Sequence, residues 1–286
     1  MINTARSTPS PSSQVVLLGT GTPIADPARS GPAVAVVVDA VPYLIDAGPG
    51  IMRRAATPYE MGVQGLSTDR LSRLFLTHLH SDHTLGLPDL IFTGWMMGRQ
   101  EPLDIYGPAG TQAMVDHLLA AYAEDIRERV QGPEPAVAAG CEVQVTEIEP
   151  GLVYEDRRVT VKAFAVDHGS WPAFGFRFET PDRTIVISGD TASPRDNLEA
   201  YRDCDVLVHE VQSGVGLATR SPGWRRYHEA YHTCAADLAA VAAEVKPGLL
   251  VLYHQLFHGV AEEALIAEIR EGYEGRVVSG RDLDVY

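Results

Sequence analysis

Short apolar, β-branched runs bounded by Gly, Pro and Asp predict strands, and apolar residues at helical spacing predict helices. On this reading Val15 to Gly19 is a buried strand ending in a Gly-Thr-Gly-Thr-Pro turn, and Ala33 to Asp39 pairs with Tyr43 to Asp46 as a hairpin around Ala40-Val41-Pro42. Gly48-Pro49-Gly50 then opens a helix towards Tyr59. A strand over Leu71 to Leu76 precedes a helix over Leu85 to Met97 and a strand over Leu103 to Tyr106. One long amphipathic helix over Gly110 to Arg129 follows, with Met114, Leu118, Tyr122 and Ile126 on one face. After a loop over Gln131 to Gly140 come strands over Glu142 to Ile148, Val159 to Val166, Phe174 to Glu179 and Thr184 to Ser188. Helices over Pro194 to Tyr201, Cys234 to Val245 and Glu262 to Glu271 alternate with strands over Val206 to Val208 and Leu249 to Tyr253. These elements form two βα-rich halves, α/β in class, with sheets face to face and helices outside.

The strand over Leu71 to Leu76 delivers Thr77-His78-Leu79-His80-Ser81-Asp82-His83. On an extended or turning segment His78 and His80 point to one side and can grip one ion. Asp82 and His83 cannot share that geometry, so a second ion beside the first is the economical reading. Crowding these groups without a cation would leave unsatisfied polar atoms together, which is costly when buried. Other strands end in the same way, at Asp167-His168-Gly169, Gly189-Asp190-Thr191, His209-Glu210 and His254. Each alone reads as a turn residue or cap; their recurrence makes a constellation.

Composition narrows what the constellation could serve. The chain has 286 residues, 45% of them hydrophobic and 21% charged, enough for a large core. No apolar run approaches the roughly 18 residues of a membrane span. Residues 1–13, rich in Ser, Thr and Pro, read as a disordered lead-in without a signal h-region, so one domain over 14–286 and a cytoplasmic location are expected. Cys141, Cys204 and Cys234 are odd in number and widely spaced, which suggests buried thiols. A net charge of -15, from 23 Lys and Arg against 38 Asp and Glu, disfavours extended nucleic-acid binding.

The His78 to His83 motif, with His168, Ser188-Gly189-Asp190-Thr191 and His254 in this order, resembles the metallo-β-lactamase superfamily, nearest its branch of tRNase Z and arylsulfatase-like hydrolases. Leu17 to Pro23, Leu44-Ile45-Asp46-Ala47-Gly48, Gly86-Leu87-Pro88 and Tyr106-Gly107-Pro108 extend the likeness over nearly the whole chain from Val15. The resemblance implies an αββα sandwich with the metal site at one edge. It also implies one zinc on His78, His80 and His168, another on Asp82, His83 and His254, and Asp190 bridging them, with Mn2+ or Fe2+ as substitutes. Neutral imidazoles and carboxylates suit zinc. Two ions so bridged lie about 3.5 to 4 Å apart and make a shared water the nucleophile. Asp46 is a candidate to hold a ligand His, or a turn former. By the same likeness His232 is the general acid and Glu210 its orienting partner, counted with Asp82 as catalytic.

The departures steer the substrate. tRNase Z carries a long arm for tRNA between the residues matching His168 and Asp190, and here only Gly169 to Gly189 fill that interval. Trp95, on the helix after the metal motif, and Trp224, Arg225 and Tyr227, in a loop over Val211 to Tyr231, are candidate substrate contacts for an aryl ester bearing phosphate or sulfate. For Trp95 the competing reading is that it fills the core, and the loop is the better candidate. A dinuclear zinc hydrolase of a small-molecule phosphodiester or aryl sulfate is therefore expected, without a nucleic-acid or membrane partner and with a homodimer common in the branch. The alternatives are a lactonase or carboxylic esterase, a tRNA 3′-processing endonuclease, and a non-hydrolytic metal-binding regulatory protein.

Overall fold

A computed structural model describes residues 13–134 and 136–286. The lead-in expected over residues 1–12 lies outside them, and Ser13, read with it, is the buried first residue of a strand. One sheet runs in the order β1 (Ser13–Gly19), β2 (Ala33–Val38), β3 (Val41–Ile45), β4 (Arg73–Phe75), β5 (Leu103–Gly107) and β6 (Val143–Glu147). The other comprises β7 (Gly151–Glu155), β8 (Thr160–Ala165), β9 (Phe174–Glu179), β10 (Thr184–Ile187), β11 (Val206–Gln212), β12 (Leu249–Leu256) and β13 (Val277–Ser279), also side by side in chain order. Against the first sheet pack α1 (Ile51–Glu60), the short α2 (Ser81–Thr84), α3 (Leu87–Met96), α4 (Thr111–Ala121) and α5 (Ala123–Gln131). The second half contributes α6 (Leu198–Tyr201), α7 (Gly214–Ala218), α8 (Pro222–Glu229), α9 (Ala235–Val245) and α10 (Glu262–Arg270).

The layering follows from strand periodicity. In β2 every residue is buried: Val34, Val36 and Val38 point into the core between the sheets, while Ala33, Ala35 and Val37 point to the helices. Phe174, Phe176 and Phe178 of β9 meet the same central core, and Leu207, Leu250 and Leu252 pack outward on α9 and α10. The result is the αββα sandwich, with apolar residues on both faces of its inner strands.

Several expectations are corrected. The helix over Gly110 to Arg129 breaks at Tyr122, whose ring turns onto Phe92 with centroids 4.4 Å apart. The Val211 to Tyr231 loop holds α7 and α8, and its first residues extend β11. β7 and β13 were not expected; β7 is a largely exposed edge strand that lacks a buried face to mark it.

Candidate metal centre

The chemistry collects where strands of both sheets end. β4 runs into His78 and His80, and the chain then turns into α2, so Asp82 and His83 project one step further along. His168 follows β8 and Asp190 follows β10, while Glu210 and His254 lie within β11 and β12. The register of these last two strands slips there: Glu210 pairs with Tyr253 and Val211 with Gln255, leaving His254 unpaired at φ 44°. Such a bulge re-aims a side chain out of the sheet's alternation.

His78 Nε2 and His168 Nε2 lie 3.0 and 3.1 Å from His80 Nδ1. Nearby, Asp82 Oδ2 is 3.3 Å from His254 Nε2 and 3.6 Å from His83 Nε2. Asp190 Oδ2 faces both groups, at 3.4 Å from His83, 3.6 Å from His254 and 4.0 Å from His168. His83 Nε2 and Asp190 Oδ1 are buried without a hydrogen-bond partner. Ring nitrogens and carboxylates converging in this way leave lone pairs that the protein does not satisfy, and the donor set fits divalent cations. No cysteine enters these clusters.

The rings are aimed from behind. Asp46 Oδ2 meets His83 Nδ1 at 2.7 Å, the Tyr231 carbonyl accepts from His168 Nδ1 at 2.8 Å, and Thr77 Oγ1 lies 2.9 Å from His78 Nδ1. Such partners fix the tautomer and turn the other nitrogen inward. Burial, aided by His83, holds His78 well below the usual imidazole value, and burial pushes His168 down to about 4, so both are neutral and ready to ligate. His83 is shifted the other way: burial lowers its pKa, but the carboxylates of Asp190 and Asp46 beside it outweigh burial and raise it well above the usual value, the mark of a ring set between two negative charges that call for a cation.

His232 Nδ1 lies 3.4 Å from Glu210 Oε2, and its ring stacks on His254 with centroids 5.6 Å apart. The other Glu210 oxygen accepts the N–H of Thr233 at 2.7 Å and of Thr191 at 3.3 Å, so the carboxylate is pinned with one oxygen towards the ring. Burial lowers the His232 pKa, but Glu210 outweighs it and raises the value.

The candidate substrate contacts divide. Trp224 and Tyr227 are exposed on α8 and line a cleft of about 430 Å³ that reaches His232. Arg225 does not line it; the cation there is Arg220, which sequence reasoning missed, with His228 and His258. Trp95 is buried in the core with its indole N–H on the Val137 carbonyl at 2.8 Å, away from the histidine cluster. Two further rings were missed: Trp171, centred 4.6 Å from His80, and Tyr231, 5.1 Å from His168. Their closeness in sequence to His168 and His232 was the available signal; Arg220 and His258 are gathered only by the fold.

A family profile described as a beta-lactamase superfamily domain matches residues 42–255. Ribonuclease Z of Mycobacterium sp. (strain KMS) is 37% identical over 251 residues, covering 85% of this chain and 84% of that one. Ribonuclease Z of Mycobacterium bovis (strain BCG / Pasteur 1173P2) is 34% identical over 278 residues, covering 94% and 96%. Among solved structures, the metallo-beta-lactamase fold protein YhfI from Bacillus subtilis superposes with a TM-score of 0.73 at 16% identity, covering 96% of this chain and 98% of that one. Human tRNase Z, short form, superposes with a TM-score of 0.69 at 23% identity and the same coverage. Fold and site together define a metal-dependent hydrolase of ester bonds. The chain belongs to the metallo-β-lactamase superfamily, in its tRNase Z branch.

These relatives overturn the expectation of a small-molecule ester or aryl sulfate and of no nucleic-acid partner, because chains 37% identical across most of this one are ribonucleases. The missing arm does not separate them: 278 aligned residues make up 96% of the Mycobacterium bovis relative, so it is about as long as this chain. The net charge of -15 is a sum over the whole surface. The cleft beside His232 holds Arg220 and no carboxylate among its lining residues.

Proposed function

We propose that this chain is a tRNA 3′-processing endonuclease that works with two divalent cations, zinc foremost. The observation that carries the reading is the pair of ligand clusters meeting on Asp190, with the Glu210–His232 pair beside them. The similarity to ribonuclease Z chains and to a tRNase Z structure supports RNA as the substrate. His78, His80 and His168 would hold one cation, Asp82, His83 and His254 the other, and Asp190 would be shared. Bound there, paired cations supply Lewis acidity at a phosphodiester and a nucleophile near neutral pH.

The chain's own residues do the rest. His232, kept protonated by Glu210, gives its proton to the departing oxygen. Asp46, Thr77 and the Tyr231 carbonyl keep the ligand rings from turning. The test is a substrate panel with the metal-loaded protein: precursor tRNA with a 3′ trailer, an aryl phosphodiester, an aryl sulfate and a lactone. The precursor is expected to show the highest kcat/KM. A fully loaded protein that leaves it intact while turning over the lactone contradicts the reading.

A further inference from the structure

The cleft beside His232 is assembled from segments far apart in sequence: residues 22–24, α8 with the chain on either side of it, and residues 256–258. Its volume of about 430 Å³ suits a small ligand or a single nucleotide. One wall is a ladder of rings at four-residue spacing. Trp224 and His228 lie 5.7 Å apart at 29°, and His228 and His232 lie 5.8 Å apart at 36°. Trp224 is 59% exposed, so the ladder leads from solvent to the acid. Arg220 opens into the same cleft and meets no carboxylate among its lining residues. A guanidinium left free in an aromatic cleft, on a chain of net charge -15, is suited to a phosphate, and the exposed ring to a base.

A second cleft, of about 470 Å³, lies on the Asp82 side and is lined by Arg29, Ser81, Asp82 and Leu85. The two share Thr22, Pro23 and Ile24, and Ile24 stands 72% exposed between them. One cleft thus touches His232 and the other Asp82, and each has the volume of a single nucleotide.

Building on the proposed endonuclease activity, we infer that the His232 cleft holds the last nucleotide of the retained RNA, its base against Trp224 and Tyr227 and its 5′ phosphate on Arg220. The trailer passes over Ile24 into the cleft beside Asp82. The polarity follows from the acid. In hydrolysis a water oxygen joins the phosphorus, the bond from phosphorus to the 3′ oxygen breaks, and the His232 proton goes to that oxygen. A 3′ hydroxyl remains on the retained nucleotide and a phosphate on the trailer, so the retained nucleotide must sit on the His232 side.

A double-mutant cycle tests this. Precursor tRNAs carrying one abasic site, either at the last retained nucleotide or at the first trailer nucleotide, are cut by the wild-type enzyme and by Trp224→Ala, with metal content and Tm checked for both proteins. The retained-side abasic site is expected to lower kcat/KM about tenfold, Trp224→Ala to do the same, and the two together to cost no more than either alone. The trailer-side abasic site adds independently to Trp224→Ala. Arg220→Gln weakens binding and flattens its salt dependence. Additive losses on the retained side, or coupling of Trp224 to the trailer base, overturn the inference while leaving the endonuclease reading intact. A wild-type enzyme that cuts neither precursor nor its unmodified parent removes that reading itself.

Discussion

Asp46 accepts the Thr77 N–H at 2.8 Å and meets His83 Nδ1 at 2.7 Å, from a left-handed backbone position at φ 61°. The carboxylate is buried and joins the chain before the first helix to the ring of His83, which is the ground for testing a role beyond the turn. Asp46→Asn keeps the shape and removes the charge that anchors His83. Its zinc affinity is expected to fall about 10- to 100-fold, read by competition with a chelator; an unchanged affinity would show that Asp46 only shapes the turn. Glu210 acts on the His232 ring in a different way, from 3.4 Å. Burial lowers the His232 pKa and Glu210 raises it past that, so with His232 as the proposed acid the activity is expected to persist to higher pH than a free imidazole would allow and to be lost as pH rises through the raised value. Glu210→Gln removes the support, so the basic limb of the kcat/KM profile should move to lower pH, with metal content unchanged. A limb that stays in place means that His232 is not the group titrating. Of the residues brought together here, His78, His80, Asp82, His83, His168, Asp190 and His254 were legible from the sequence because each follows closely on, or lies at the end of, an apolar strand-like run. Trp171 had only its closeness to His168 to mark it, and Arg220 had nothing.

At the level of elements, the centre depends on close backbone approaches. The Gly86 N–H donates to the Ala47 carbonyl at 2.8 Å, and a Cβ on Gly86 would stand 2.3 Å from the Gly48 carbonyl oxygen. The turn after His83 is therefore held directly against the loop carrying Asp46, and only glycine permits it. Gly86→Ala should push the two apart, lowering both Tm and zinc affinity, whereas the same affinity at a reduced Tm would confine the effect to packing. Arg99 serves α3 differently. Its buried guanidinium donates to the carbonyls of Leu71, Leu90, Ile91 and Gly140 at 2.7 to 3.1 Å, and burial lowers its pKa to about 10. Arg99→Met strands those carbonyls and should cost about 2–4 kcal/mol in denaturant unfolding, with metal bound per folded chain unaffected. This is also why Trp95, beside Arg99 at the end of α3, belongs to the core. α8 escaped the sequence reading for the converse reason: none of its residues is buried, so no apolar period betrays it.

Over the whole molecule, the two sheets and their outer helices were readable from short continuous apolar runs, since β2, β11 and β12 carry buried residues almost throughout. Substrate class was not readable from net charge, which averages the acidic surface with a cleft that holds arginine and histidine. Nor was it readable from the missing arm, which the equally short relatives also have no length to carry. His168, Asp190 and His254 come from the second sheet and meet side chains that follow β4 of the first, and Asp190 faces both clusters. The most direct measurement is therefore the rate of precursor tRNA cleavage by metal-free protein as zinc is added back in known equivalents. Cleavage should rise to a plateau at two equivalents per chain, with a single cut at the 3′ side that leaves a 3′ hydroxyl, and Asp190→Ala should abolish it. Precursor that stays intact at saturating zinc, or a plateau reached with one ion bound, would contradict a shared two-ion centre that processes tRNA.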